Sequence, residues 1–168
     1  MENIPIESID LILLELESGI VSIKLRPDLA PNHVQQILKL TREKFYDGLV
    51  FHRVIDGFMA QTGCPLGNGT GNCGYTIPAE FTDTPHVRGI CSMARSTEPN
   101  SASSQFFICF ATTPDLDGEY TVWGEVVSGM DLIDNIKRGD QMAGGIVDNP
   151  DKLISMKVVH DTPINIVR

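Results

Sequence analysis

The chain has 168 residues, 42% hydrophobic and 21% charged, the balance of an ordinary globular protein with a core to bury. Acidic residues outnumber basic ones 22 to 13, a net charge of −9, so the surface as a whole repels phosphates and no nucleic-acid partner is expected. The longest apolar run, residues 106–111, is six residues long against the roughly 20 a membrane-spanning helix needs, and no membrane role is expected. Residues 1–9 carry Glu2 and Glu7 and no basic residue ahead of an apolar stretch. No export signal is read there, and a cytoplasmic setting is expected.

In chain order, residues 11–17, the turn Ser18-Gly19, and the alternation of Val21, Ile23 and Leu25 with Ser22 and Lys24 predict a β-hairpin. Pro31 then opens a predicted helix, with Val34, Ile37, Leu38 and Phe45 near one face. Residues 50–55 and 58–61 read as strands, and residues 63–74 as a glycine-rich loop. Further short strands are predicted at 91–94, 106–111 and 121–127. A second helix follows Gly129, with Met130, Ile133 and Ile136 inward and Gly139 as its stop. Residues 140–152 read as a long surface loop and residues 154–160 as a last strand. Many short strands with two helices predict a closed or nearly closed β-barrel whose ends the helices cap. No linker or repeat divides the chain, so one domain over residues 1–168, with its core at about 11–160, is expected.

Several motifs are weak. Gly69-Thr70-Gly71-Asn72-Cys73-Gly74 fits G-x-G-x-x-G, but Tyr75-Thr76-Ile77-Pro78 follows where a dinucleotide site needs a helix. A nucleotide-dependent oxidoreductase is disfavoured accordingly. Asn68-Gly69-Thr70 is a glycosylation sequon without an export signal. His33, His52, His86 and His160 lack metal-ligand spacing, and neither a metal nor a cofactor is expected. No serine sits in G-x-S-x-G, although a Ser/His/Asp triad needs no fixed order. Cys64, Cys73, Cys91 and Cys109 form no Cys-x-x-Cys pair, and reduced thiols are expected rather than a Cys64–Cys73 disulfide.

Two stretches carry more. Residues 51–63, F-H-R-V-I-D-G-F-M-A-Q-T-G, place Arg53, Phe58 and Gln61 on neighbouring predicted strands, where a charge, an aromatic ring and an amide could share a cleft. Ser92-Met93-Ala94-Arg95 is followed by Ser103-Ser104-Gln105-Phe106-Phe107-Ile108. Together the two stretches resemble the cyclophilin-type peptidyl-prolyl cis-trans isomerases. Leu116-Asp117-Gly118, Val122-Trp123-Gly124-Glu125-Val126 and Gly129-Met130-Asp131 extend the resemblance over nearly the whole chain, and Arg26-Pro27-Asp28-Leu29-Ala30-Pro31-Asn32 and residues 148–159 look most like compact bacterial cytosolic members.

The resemblance implies an eight-stranded antiparallel closed barrel with two helices, and an active isomerase of Xaa-Pro bonds that assists protein folding. It implies an apolar proline pocket of Phe58, Met59, Phe107 and Leu116. Gln61 and Gln105 would bond the peptide backbone, with Ala94 and Arg95 beside them (Arg95 through its main chain), and Tyr120 at the rim. Arg53 would be the catalytic residue, with no covalent intermediate. A binding module without catalysis is the runner-up. Three positions depart from the family pattern. Asp115 stands where cyclosporin-sensitive members carry tryptophan, so weak cyclosporin binding is expected. Tyr120 stands where many have histidine, and Arg95 replaces a small polar residue, from which a preference for acidic residues near the proline is expected. Proline-containing segments of folding chains are the expected partners, and a monomer the expected state.

Overall fold

The computed structural model describes residues 11–159. Strands β1 (Leu11–Leu16) and β2 (Gly19–Leu25) form the expected hairpin, with Leu11 opposite Lys24 and Leu16 opposite Gly19. Ile12, Leu14, Leu16, Val21, Ile23 and Leu25 are all buried, so the two-residue period turns one face of the hairpin to the core.

Helix α1 (Pro31–Arg42) begins at a proline, whose missing N–H costs nothing in the first turn. Val34, Ile37, Leu40 and Thr41 fall on its buried face. It ends earlier than Phe45. Lys44 takes a positive φ of 61°, and Phe45 N–H closes onto the Leu40 carbonyl at 2.9 Å, which turns the ring back against the core.

The N-cap residue, Ala30, has no side chain to cap with. Glu80 does the work from a distant loop. One carboxylate oxygen accepts Asn32 N–H at 3.1 Å, and the other accepts His33 N–H at 2.8 Å and His33 Nδ1–H at 2.7 Å. Burial pushes the Glu80 carboxyl up, but these three bonds outweigh it and hold it below the usual glutamate range. Burial lowers His33, which Glu80 only partly offsets, so the ring is neutral and donates through Nδ1. A carboxyl held low in the fold contributes stability above its unfolded pKa and loses it as pH falls through the folded value. Glu80→Gln should therefore cost about 1–2 kcal/mol at neutral pH. It should also flatten the acid destabilisation below pH 4.5, glutamate's ordinary value. Urea unfolding of both proteins across pH 3–7 checks this, and equal acid slopes would count against the cap.

The remaining strands are β3 (Arg53–Ile55), β4 (Met59–Thr62), β5 (Ile90–Met93), β6 (Phe106–Cys109), β7 (Val122–Ser128) and β8 (Ser155–Val158). All pairs are antiparallel, in the order β3-β4-β6-β5-β7-β2-β1-β8. The structure is thus mainly β with eight antiparallel strands, but the expected closed barrel is corrected to an open one. The sheet curls through 204° and leaves β3 and β8 as its edges. The reason lies in the edges themselves. β3 has three residues and β8 four, and the stretch before β8 contains Pro150, which has no N–H for a ladder. Residues 49–54 instead meet residues 145–153 through isolated bridges, Val50 to Lys152 and Arg53 to Ile146, and single bonds such as Val147 N–H to the His52 carbonyl at 3.0 Å.

Helix α2 (Met130–Asp134) is one turn shorter than the sequence suggests, and Gly139 is not its stop. Ile133 and Ile136 are buried as expected. After Asp134 the Arg138 guanidinium takes the carbonyls of Asp134 and Ile136, and Gly139 N–H bonds the Val54 carbonyl at 2.8 Å. Pairing with β3 has replaced another helical turn. Residues 139–147 become a strap across the edge of the sheet rather than a free loop. The position of His160, the end of the last predicted strand, lies outside the described residues.

Candidate active site

Strand register builds the site. Arg53 on β3 lies opposite Gln61 on β4, and Gln61 lies opposite Phe107 on β6. Ser92 on β5 faces Phe107 in turn. Cross-strand partners share a face, so this row points away from the core. The next row, Val54, Ala60, Ile108 and Cys91, points into it. Phe106 and Phe107 accordingly part company: Phe106 joins the main core, while Phe107 joins a separate apolar cluster with Met59, Ile90, Cys109 and Val122. Phe58, Ala94, Leu116 and Tyr120 pack against that outer cluster without being fully buried.

A cavity of about 170 Å3 opens there. Phe58, Met59, Phe107 and Leu116 give it apolar walls, Ala94, Arg95 and Tyr120 form its rim, and Arg53 and Gln61 stand at its polar side. Nine of the ten residues picked from sequence therefore meet at one hollow. The tenth, Gln105, lines an adjoining hollow of about 240 Å3 with Thr70, Asn72, Ser96, Ser101 and Ser103. Those polar neighbours come from two loops that no periodicity marked.

The polar side is a relay. Arg53 Nη1–H donates to Gln61 Oε1 at 3.1 Å, and Gln61 Nε2–H donates to Gln105 Oε1 at 2.8 Å. Gln105 Nε2 then donates to the carbonyls of Gly69 and Gly71, each at 2.9 Å. The glycine-rich loop thus anchors the catalytic candidate through two amides, a use quite unlike a phosphate cradle. The side-chain oxygen of Gln105 and both N–H groups are engaged inside the protein. Arg53 Nε–H donates to the Gly144 carbonyl at 3.0 Å. Among the described residues nothing pairs with Nη2, which leaves donors free beside an apolar pocket. No group of three or more potential metal ligands occurs among the described residues.

Residues 11–158 match the family model "Cyclophilin type peptidyl-prolyl cis-trans isomerase/CLD". The chain belongs to the cyclophilin family of peptidyl-prolyl cis-trans isomerases. A probable peptidyl-prolyl cis-trans isomerase of Brucella suis is 53% identical over 163 residues, covering 90% of this chain and 83% of its own. Peptidyl-prolyl cis-trans isomerase B of Bacillus subtilis is 46% identical over 124 residues, covering 73% of this chain and 86% of its own. Among solved structures, a cyclophilin from Hirschia baltica superposes with a TM-score of 0.82 at 29% identity, covering 92% of this chain and 76% of that one. A Cryptosporidium parvum cyclophilin, crystallised in the presence of the dipeptide Ala-Pro, gives 0.80 at 26% identity, covering 88% and 98%.

The rim of this cyclophilin is held by charge and rings. The Arg95 guanidinium lies 4.8 Å from the Tyr120 ring centroid and 5.6 Å from that of Phe81. It donates to the carbonyls of Glu119 at 2.9 Å and Ser96 at 3.0 Å, with the Glu119 carboxylate 3.8 Å away. This side chain is a brace with its own acidic partner, an arrangement that weakens the expected preference for acidic residues near the proline. Asp115 is exposed on the 3-10 turn Pro114–Leu116 that carries Leu116 to the pocket.

Behind Phe107 the isomerase holds a Ser/His/Asp set that no sequence spacing revealed. His86 Nδ1 lies 3.1 Å from Asp117 Oδ1, and Nε2 lies 2.9 Å from Ser92 Oγ. Ser92 and His86 are fully buried, and Ser92 Oγ also reaches the Thr121 carbonyl at 3.0 Å. A nucleophile sealed from substrate performs no acyl transfer. The set clamps the pocket instead: His86 stacks on Phe107 at 6.2 Å, and Asp117 ties down the turn that bears Leu116. Burial lowers the His86 pKa, partly offset by Asp117.

All four cysteines are free. Cys64 Sγ accepts N–H groups from Gly69 at 3.3 Å and Gly71 at 3.2 Å. Burial raises its pKa, but the loop's backbone N–H groups outweigh this and hold the thiol below its ordinary value. Cys73 Sγ accepts Gln36 Nε2–H at 3.4 Å and lies 3.1 Å from Ser103 Oγ. Burial drives Cys109 up to about 11.

Proposed function

We propose that the 170 Å3 hollow seats the substrate's proline ring and that Arg53 is the catalytic donor. The observation that carries this reading is a guanidinium oriented by two acceptors, Gln61 Oε1 and the Gly144 carbonyl, with Nη2 unpaired among the described residues, beside a pocket floored by Phe107.

The physical problem is a partial double bond. Resonance gives the peptide C–N bond a barrier of about 18–20 kcal/mol, and for prolyl bonds the two isomers nevertheless lie within about 1 kcal/mol. No nucleophile, metal or proton transfer is required. As the bond twists, the prolyl nitrogen regains its lone pair and becomes a better acceptor. An N–H fixed at that place stabilises the twisted state more than either planar isomer, which is the condition for acceleration. Arginine suits the task because it stays charged and its planar fork can be held by some N–H groups while others face the substrate. The apolar walls hold the ring while the chain before it turns. Gln61, with the main chain at Ala94 and Arg95, aligns that chain. Gln105 supports this alignment through Gln61, and Tyr120 closes the rim.

The substrates on this reading are proline-containing segments of folding proteins, in keeping with the Ala-Pro dipeptide present with the Cryptosporidium relative. Cyclosporin binds weakly, because Asp115 puts an exposed carboxylate where sensitive members offer an indole. Residues 11–158 act as one cyclophilin domain, as a monomer and in the cytoplasm. The net charge of −9 supports the monomer by mutual repulsion, and no described helix is long and apolar enough to cross a membrane.

Amide shift mapping with an Ala-Pro tetrapeptide tests the site. Perturbations should centre on Arg53, Gln61, Ala94, Arg95, Phe107 and Leu116. A focus on the hollow between Leu16 and Pro150, with these residues silent, would contradict the assignment.

A further inference from the structure

We infer that the strap of residues 139–147 is a positioning element for catalysis, acting on Arg53 through the Gly144 carbonyl. This rests on the reading of Arg53 as catalytic donor. The strap is bound to β3 on both sides of Arg53's neighbour: Gly139 N–H donates to the Val54 carbonyl, and Val54 N–H donates to the Gly145 carbonyl, each at 2.8 Å. Between these anchors the chain folds back on itself. Asp140 Oδ1 accepts Met142 N–H at 2.9 Å, and the Asp140 carbonyl accepts Ala143 and Gly145 N–H at 2.9 Å each. The closed turn leaves the Gly144 carbonyl aimed at Arg53 Nε, 3.0 Å away.

The strap's composition follows from that closeness. A Cβ on Gly139 would run into the carbonyl oxygens of Gly145 and Ile146, backbone atoms that cannot rotate aside. A Cβ on Gly145 would lie 2.5 Å from Ile55 Cγ1 and 3.4 Å from Arg53 Cγ. Only glycine lets the strap reach β3 at the depth where its carbonyl meets the guanidinium. The division of labour is then clear. Gln61 holds one Nη, Gly144 holds Nε, and two fixed points in the guanidinium plane set the direction of the N–H groups left for the substrate. With Gln61 alone, the plane could pivot about a single bond. A misplacement of about 1 Å in such a group costs on the order of a hundredfold in rate.

Gly139→Ala tests this without the strain of a left-handed backbone, since among the glycines only others carry positive φ values at the strap, Gly144 and Gly145. Turnover by Gly139→Ala and by wild type is measured against an Ala-Pro peptide, each also in an Arg53→Ala background. The expected result is a kcat lower by about 10- to 100-fold with KM changed less than about threefold, and no further loss when Arg53 is already alanine. Arg53 Nε–H, followed by 15N NMR in the wild type, should exchange with water at least tenfold more slowly than in Gly139→Ala or than an exposed arginine. Unchanged kcat in Gly139→Ala, or an equal loss in both backgrounds, would overturn the proposal while leaving Arg53's role intact. An Arg53→Ala protein as active as wild type would overturn the underlying site reading instead. Should Gly139→Ala fail to fold, the wild-type Nε–H decides: protection supports the strap's role, and exchange like that of an exposed arginine overturns it.

Discussion

Arg53→Ala should lower kcat/KM for an Ala-Pro peptide by about 10²–10³-fold, the usual loss when one transition-state donor is removed, while leaving thermal unfolding little changed. The side chain is only half-buried at the sheet edge, and its partners are a glutamine and a backbone carbonyl that water can serve in its absence. Arg53→Lys should recover little of the loss. An ammonium has no planar fork with which to hold both Gln61 and Gly144 and still present a directed N–H to the substrate. Peptide affinity, read by titration, should fall far less than the rate in both variants, because the apolar walls remain. A variant that loses affinity and rate equally would place Arg53 in binding rather than in catalysis.

The second large effect separates two adjacent residues. Phe106 is fully buried, with its ring edge-on to Trp123 at 5.2 Å and to Tyr46 at 5.4 Å. Phe106→Ala should cost about 3–5 kcal/mol, a large fraction of the roughly 5–15 kcal/mol that holds such a domain together. Phe107 points the other way, into the outer cluster, with His86 stacked behind it and Tyr120 edge-on at 5.7 Å. Phe107→Ala widens a hollow already open to solvent, so its stability loss should be the smaller of the two. Its kcat/KM should fall about a hundredfold, by loss of apolar contact with the proline ring. Urea unfolding and peptide turnover on both variants check the pair. The reverse assignment of effects would mean that the sheet's faces are interchanged at β6.

The site was legible in the sequence through the resemblance of residues 51–63 and 103–108 to the cyclophilins, and the same two-residue period explains why those motifs form one surface. Residues within β3, β4 and β6 alternate faces, and antiparallel register then brings Arg53, Gln61 and Phe107 into one row. What stayed hidden depends on contacts between segments far apart in the chain. Glu80 caps α1 from 47 residues beyond His33, and nothing in either segment marks the other. Gly144 serves Arg53 through a backbone oxygen, an atom that every residue possesses. The early end of α2 follows from Gly139 choosing Val54 as its partner, a choice made by β3 and not by helix propensity. The expected closed barrel failed for a similar reason: alternation predicts strands, but closure depends on edge lengths and on where Pro150 falls.

The most direct measurement is the exchange between cis and trans signals of an Ala-Pro peptide held at saturation by the protein, followed by NMR for wild type and Arg53→Ala. Saturation removes differences in affinity, so only the barrier on the enzyme is read. Exchange far faster than in free peptide for wild type, and slower by about two to three orders of magnitude for Arg53→Ala, is the expected result. Equal exchange rates for the two bound peptides would contradict the assignment of catalysis to Arg53.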